Sequence, residues 1–137
     1  MVLVDSSVWI DYFNGIANRE SDALDTLLGR ELVAVGDLIL AEVLQGFRED
    51  AEYRLARQLL GELVIFDLLG ASRAVQVAEN YRRLRKRGLS VRKITDTVIA
   101  SFCIGERLPL LYSDRDFDPF VEHLGLMRAS PPGHNPP

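Results

Sequence analysis

The chain opens with Val2-Leu3-Val4-Asp5-Ser6-Ser7-Val8-Trp9-Ile10-Asp11. Three apolar residues make a short buried strand, a carboxylate follows at once, and Ser6 to Phe13 reads as a short helix with Ser6 or Ser7 as its cap. The same alternation runs down the chain. Leu32-Val33-Ala34-Val35 reads as a strand ended by Gly36, Leu63-Val64-Ile65-Phe66 as a third and Leu110-Leu111-Tyr112 as a fourth, positioned by Pro109. Helical spacing marks Ser21 to Arg30, Asp37 to Phe47, Glu49 to Leu60, Ser72 to Arg87 (stopped by Gly88) and Ile94 to Ile104 (stopped by Gly105). Leu124 to Arg128 reads as a short edge strand. Strands alternating with helices predict an α/β fold, a parallel sheet of four to five strands with helices on both faces. In such sheets ligands bind at the carboxyl ends of the strands.

A length of 137 residues fits one domain, expected over 1–128. The tail 129–137 is expected to be disordered, since Ser130 to Pro137 holds four prolines and cannot build a core. A hydrophobic share of 47% and a charged share of 26% are those of a soluble globular protein. The lone Cys103 excludes an internal disulfide and suits the reducing cytoplasm. No signal peptide is expected at the N-terminus, and no apolar run approaches the roughly 20 residues that span a bilayer.

A net charge of −4 and a pI near 5.2 weigh against nucleic acid as a partner. The distribution weighs the other way. No acid lies between Glu79 and Asp96, while the segment carries Arg82, Arg83, Arg85, Lys86, Arg87, Arg92 and Lys93. Such a strip is either a solvated helix face or a contact for phosphates.

The acids carry the chemistry. Asp5 exits the first strand, where it serves as a helix N-cap or as a functional carboxylate. Asp114, Asp116 and Asp118 follow the fourth strand, as an acidic turn or as part of a site. Glu42 stands in a helix that is apolar nearly all round (Leu38, Ile39, Leu40, Val43, Leu44, Phe47), which predicts burial. A buried carboxylate requires a cation, an Arg partner or a proton. Asp96 opens another apolar helix, Thr97 to Ile104, where an acid also caps the dipole. Should these ends converge, at least four carboxylates repel one another, and a hard divalent cation with oxygen ligands resolves the repulsion.

These residues resemble a known family. Leu3-Val4-Asp5-Ser6-Ser7-Val8-Trp9-Ile10-Asp11, Ala41-Glu42-Val43-Leu44-Gln45-Gly46, Ile94-Thr95-Asp96-Thr97-Val98-Ile99-Ala100 and Leu110-Leu111-Tyr112-Ser113-Asp114-Arg115-Asp116-Phe117 are similar, in order and spacing, to the motifs of the PIN-domain toxins called VapC. The resemblance spans about Val2 to Phe120. It implies a PIN-like three-layer sandwich and an endoribonuclease dependent on Mg²⁺ or Mn²⁺ that cuts structured RNA, tRNA or rRNA. It also implies inhibition by a cognate VapB-type antitoxin and a homodimer. The acids it assigns to the site are Asp5, Glu42, Asp96 and Asp114. Asp5, Asp96 and Asp114 would hold the metal, with Asp116 as an additional ligand, and Glu42 would orient or deprotonate the attacking water or complete the shell. Ser6 matches the small hydroxyl residue after the first Asp, and Ser113 departs from many relatives. Arg82 to Lys93 is the candidate RNA contact.

Other chemistries fit less well. A haloacid-dehalogenase-type phosphotransferase needs a second Asp where Ser7 stands. No Gly-Lys-Ser/Thr phosphate loop or Gly-x-Ser-x-Gly elbow occurs, and two histidines with one cysteine do not make a zinc site. Trp9, Tyr12 and Phe13 are candidates to stack bases or to fill a core, and Cys103 reads as an inert core thiol. The rival from another class is a non-catalytic PIN-fold module that binds RNA or protein, although such a module is free to lose acids and none is missing here.

Overall fold

The computed structural model describes residues 1–30 and 32–129. Of the tail 129–137 expected to be disordered, Ala129 packs on the core and its amide donates to the Leu110 carbonyl at 2.9 Å, and 130–137 lie outside the described residues. Four parallel strands, β1 (Val2–Val4), β2 (Val33–Gly36), β3 (Val64–Phe66) and β4 (Leu110–Leu111), form one sheet in the order β3-β2-β1-β4. The helices are α1 (Ser6–Phe13), α2 (Arg19–Leu28), α3 (Asp37–Gln45), α4 (Asp50–Gly61), α5 (Gly70–Lys86), α6 (Ile94–Glu106) and α7 (Asp118–Leu124). A 3₁₀ turn, Arg115–Phe117, precedes α7.

The order decides where a ligand binds. From β1 the chain steps outward to β2 and β3, with α1 to α4 as crossovers, then returns through α5 and α6 to β4 on the far side of β1. Right-handed crossovers put helices of opposite direction of travel on opposite faces of the sheet. The direction reverses between β1 and β4, so the crevice outside their carboxyl ends is the topological switch point. Leu3 and Val4 of β1 are fully buried, as a strand covered on both faces requires. The core continues through Trp9, Leu24, Ile39, Leu84, Ile99 and Phe120.

Several expectations shift. The cap of α1 is Asp5 rather than Ser6 or Ser7, because its extended backbone lets its carboxylate accept from the Ser7 amide. Leu124 to Arg128 is not a strand: α7 runs to Leu124, Gly125 ends it, and only Arg128 bridges to Leu110. Pro119 near the start of α7, where its missing N–H costs nothing, is the local signal for that helix. α3 is not buried all round. Ile39 and Val43 face the core, while Leu38, Leu40 and Leu44 are half-buried. Gly88, at φ 79°, ends α5 in a left-handed conformation that favours glycine, and turns the chain back toward Arg92 and Lys93.

Candidate metal centre

Asp5 leaves β1 at the switch point, 4% exposed. Its amide donates to the Leu111 carbonyl at 2.9 Å, which ties it to the end of β4. Its Oδ2 accepts from the Ser7 hydroxyl at 2.7 Å and the Ser7 amide at 3.3 Å. The Ser7 hydroxyl also lies 3.2 Å from that of Ser113, so one short hydrogen-bonded chain spans the exits of β1 and β4. Burial pushes the Asp5 carboxyl above its ordinary range, the bonds from Ser7 and the Ser6 amide pull it back, and Asp114 raises it further. Asp5 therefore caps α1 while it stands in the crevice.

Asp114 follows β4 and caps the 3₁₀ turn, its Oδ1 accepting from the Asp116 amide at 2.9 Å. That bond fixes the two carboxylates relative to one another. Asp96 arrives from the first turn of α6, 7% exposed. One carboxylate oxygen from each of Asp96, Asp114 and Asp116 lies within 4.8 Å of the other two. Burial first, and then the negative charges of Asp5 and Asp114, push the Asp96 carboxyl up to about 6, against the pull of Lys93. Glu42 enters from the middle of α3. Burial raises its carboxyl, Asp5 adds to the rise, and Lys93 opposes it.

Two oxygens are informative. Asp96 Oδ2 and Glu42 Oε1 are buried and find no hydrogen-bond partner among the described residues. An unpaired buried acceptor of this kind costs about 1–3 kcal/mol and more if charged. Protonated or charged, these oxygens await a donor or a cation. Among the described residues the group that could hold an ion is made of carboxylates alone, which suits a hard ion such as Mg²⁺ or Mn²⁺. The residues present fit such an ion.

The other candidates separate. Asp116 pairs with Arg92 at 3.5 Å, Arg92 being largely exposed, and Lys93 acts on both Glu42 and Asp96. Arg82, Arg83, Arg85, Lys86 and Arg87 lie farther along, exposed on α5 and its cap. Ser6 is half-exposed beside Asp5. Asp118 turns away to accept from the Tyr112 hydroxyl at 2.7 Å. Trp9 is fully buried and fills the core, and it stacks on Phe13, which with Phe47 packs partly buried against that core. Cys103 is buried and its thiol is pushed up to about 12, which leaves it inert. Sequence reasoning passed over Ser7 and treated Ser113 as a minor departure. A contact between residues 106 apart in the chain left no local signal.

A parallel α/β sheet whose switch-point crevice brings carboxylate oxygens of Asp96, Asp114 and Asp116 together, with Asp5 acting by its charge on both Asp96 and Glu42, defines an α/β domain with an acidic crevice. Residues 2–121 match the PIN domain, and the chain belongs to that family. It is 29% identical over 132 residues to ribonuclease VapC11 of Mycobacterium tuberculosis, covering 95% of this chain and 98% of that protein. Its fold is shared with VapBC2 of Rickettsia felis, solved bound to a DNA fragment from its promoter, at a TM-score of 0.74 and 20% identity over 94% of this chain and 98% of that one. It is shared also with VapC20 of M. tuberculosis, a sarcin–ricin loop cleaving toxin, at a TM-score of 0.69 and 17% identity over 96% of this chain and all of that one.

Proposed function

We propose that this chain is a metal-dependent endoribonuclease and the toxin half of a VapBC-type toxin–antitoxin pair. The observation that carries the reading is the pair of buried, unpartnered carboxylate oxygens, on Asp96 and Glu42, in a crevice shared with Asp5, Asp114 and Asp116. The match to VapC ribonucleases over nearly the whole chain supports it.

In this reading Asp5, Asp96 and Asp114, with Asp116, hold Mg²⁺ or Mn²⁺. Such an ion, when bound, activates water for attack and neutralises phosphate charge. The chain's own residues do the rest. Ser7 holds the Asp5 carboxylate in one orientation, and the Asp116 amide does the same for Asp114. Burial raises the Glu42 carboxyl, which makes its ionised form a stronger base than an ordinary carboxylate for taking a proton from the attacking water. Lys93 and Arg92 stand at the rim, where they neutralise the phosphate that enters an otherwise anionic crevice. Ser6, Arg82, Arg83, Arg85, Lys86 and Arg87 extend that contact along a structured RNA such as tRNA or rRNA.

The antitoxin belongs to the same proposal. Phe13, Phe47, Leu55 and Leu59 line an open cleft of about 470 Å³ between α1 and α4, edged by Glu52 and Glu62. Leu55 is 69% exposed. An apolar segment flanked by basic residues fits such a groove. A homodimer is also part of the reading, and the exposed Val64 and Ile65 at the open sheet edge favour self-association. No described helix is long and apolar enough to cross a membrane. The activity is assigned to the cytoplasm, where its RNA would be.

The test is cleavage of total tRNA and rRNA by the purified chain freed of partners, with Mg²⁺, Mn²⁺ or EDTA. Discrete fragments lost with EDTA and with Asp5→Ala are expected. Cleavage that survives both changes contradicts the reading.

A further inference from the structure

The basic strip divides in the folded chain. Tyr81, Arg82 and Arg85 share one face of α5, and Arg92 and Thr97 meet them across a cleft of about 610 Å³. That volume lies within the roughly 300–1,000 Å³ usual for small-ligand sites. Arg83, Lys86 and Arg87 are exposed and do not line it. Ala74 and Ala78 line it too, where longer side chains would fill the space.

We infer that this cleft takes one unpaired nucleotide next to the phosphodiester bond that is cut, an inference that rests on the nuclease reading. Four features point to that ligand. Arg92 belongs both to the cleft and, through Asp116 at 3.5 Å, to the acid crevice, so a strand leaving the acids passes directly into it. Arg82 and Arg85 have no carboxylate partner among the described residues, and their forks suit phosphate oxygens. The Arg85 guanidinium lies over the Tyr81 ring, 5.7 Å from its centroid, and both line the cleft, so a planar group and an aromatic ring stand together where a base can stack. Thr97, 1% exposed, lines the cleft, and its hydroxyl has no hydrogen-bond partner among the described residues. A polar base edge supplies one.

The charge selects among occupants. Three arginines and no acid line the cleft, so a second copy docked here across a two-fold axis sets arginine against arginine. A polyanion is favoured instead. Stacking on Tyr81 needs a base free of its own pair, which selects single strands, loops and bulges over duplex.

The experiment is anisotropy of a labelled single-stranded RNA hexamer, in EDTA so that nothing is cut. Wild type is compared with Tyr81→Ala, Tyr81→Phe and Arg85→Gln, using the hexamer, the same hexamer with one abasic position moved along it, and its duplex. Tyr81→Ala is expected to weaken binding about 10- to 100-fold, the worth of one stacked base. Tyr81→Phe keeps the ring and stays within about threefold of wild type. One abasic position erases the difference between wild type and Tyr81→Ala, and the duplex shows no such difference. A Tyr81→Ala loss that is equal on duplex and on every abasic probe overturns the cleft, as does no loss at all. So does sedimentation in which Tyr81→Ala turns a dimer into monomers, which makes this face an interface between copies. Tyr81-dependent binding by a chain that never cleaves RNA keeps the cleft and refutes the nuclease. Metal-dependent cleavage with Tyr81-independent binding does the reverse.

Discussion

Replacing Asp96 by Asn should stabilise the metal-free protein near neutral pH. The unfolded chain ionises Asp96 at its ordinary value of 3.8, whereas the folded crevice pushes it up to about 6. The folded state therefore prefers the proton. Below pH 3.8 the group costs nothing, between 3.8 and 6 the cost of holding its charge grows, and above 6 the full cost is present. Each pKa unit is worth about 1.4 kcal/mol, so the shift sets a ceiling near 3 kcal/mol. Water at the crevice mouth screens part of this, and the helix dipole returns up to about 1 kcal/mol to the charged form. A net gain of about 1–2 kcal/mol for Asp96→Asn at pH 7.5 remains. Urea unfolding in EDTA at pH 7.5 and pH 4 measures it. The gain should shrink toward zero at pH 4. Saturating Mn²⁺ should reverse the ranking, since an ion at 100 times its Kd adds about 2.7 kcal/mol to the state that binds it. An Asp96→Asn protein less stable than wild type at pH 7.5 in EDTA would refute the claim that burial, and then repulsion by the other acids, makes the Asp96 charge costly.

Cleavage and Mn²⁺ affinity should rise with pH up to about 6, where Asp96 loses its proton, and flatten beyond it; a profile already flat at pH 4.5 contradicts this. Ser7→Ala removes the 2.7 Å bond to Asp5, so it should raise the Asp5 carboxyl further, move the pH profile upward and cost about 1.5–3 kcal/mol of stability. A profile unmoved in this variant would mean that Ser7 does not support the site. Leu55→Glu at the exposed cleft of α4 should weaken capture of a VapB-type antitoxin at least tenfold while RNA cleavage by the free chain stays within twofold of wild type. Equal antitoxin affinity would place that partner elsewhere.

Much of this fold was legible because its strands are short, apolar and punctuated. Val2-Leu3-Val4 stops at an acid, Val33-Ala34-Val35 at a glycine, and each strand lies where expected to within a residue or two. The acids were legible for the same reason, since Asp5 and Asp114 stand at strand exits. What the sequence hid depends on phase and register. Whether Arg82 or Arg83 faces the cleft is set by the roughly 100° between successive residues of α5. The Ser7–Ser113 contact needs the parallel register of Leu3 with Leu110, which no local pattern encodes. α3 looked buried all round because its nine residues carry too many apolar side chains for one face; Ile39 and Val43 are buried and Leu38, Leu40 and Leu44 only partly so.

The central claim is that Asp5, Asp96, Asp114 and Asp116 together hold a hard divalent ion, with Glu42 beside them. Calorimetric titration of Mn²⁺ into the purified chain at pH 7.5 tests it most directly, beside Asp96→Asn, Asp114→Asn and an Asp25→Asn control on α2. The account predicts binding by wild type and the control, with a loss of at least tenfold in each crevice variant. Wild type without heat of binding, or crevice variants that bind as tightly as the control, would contradict it.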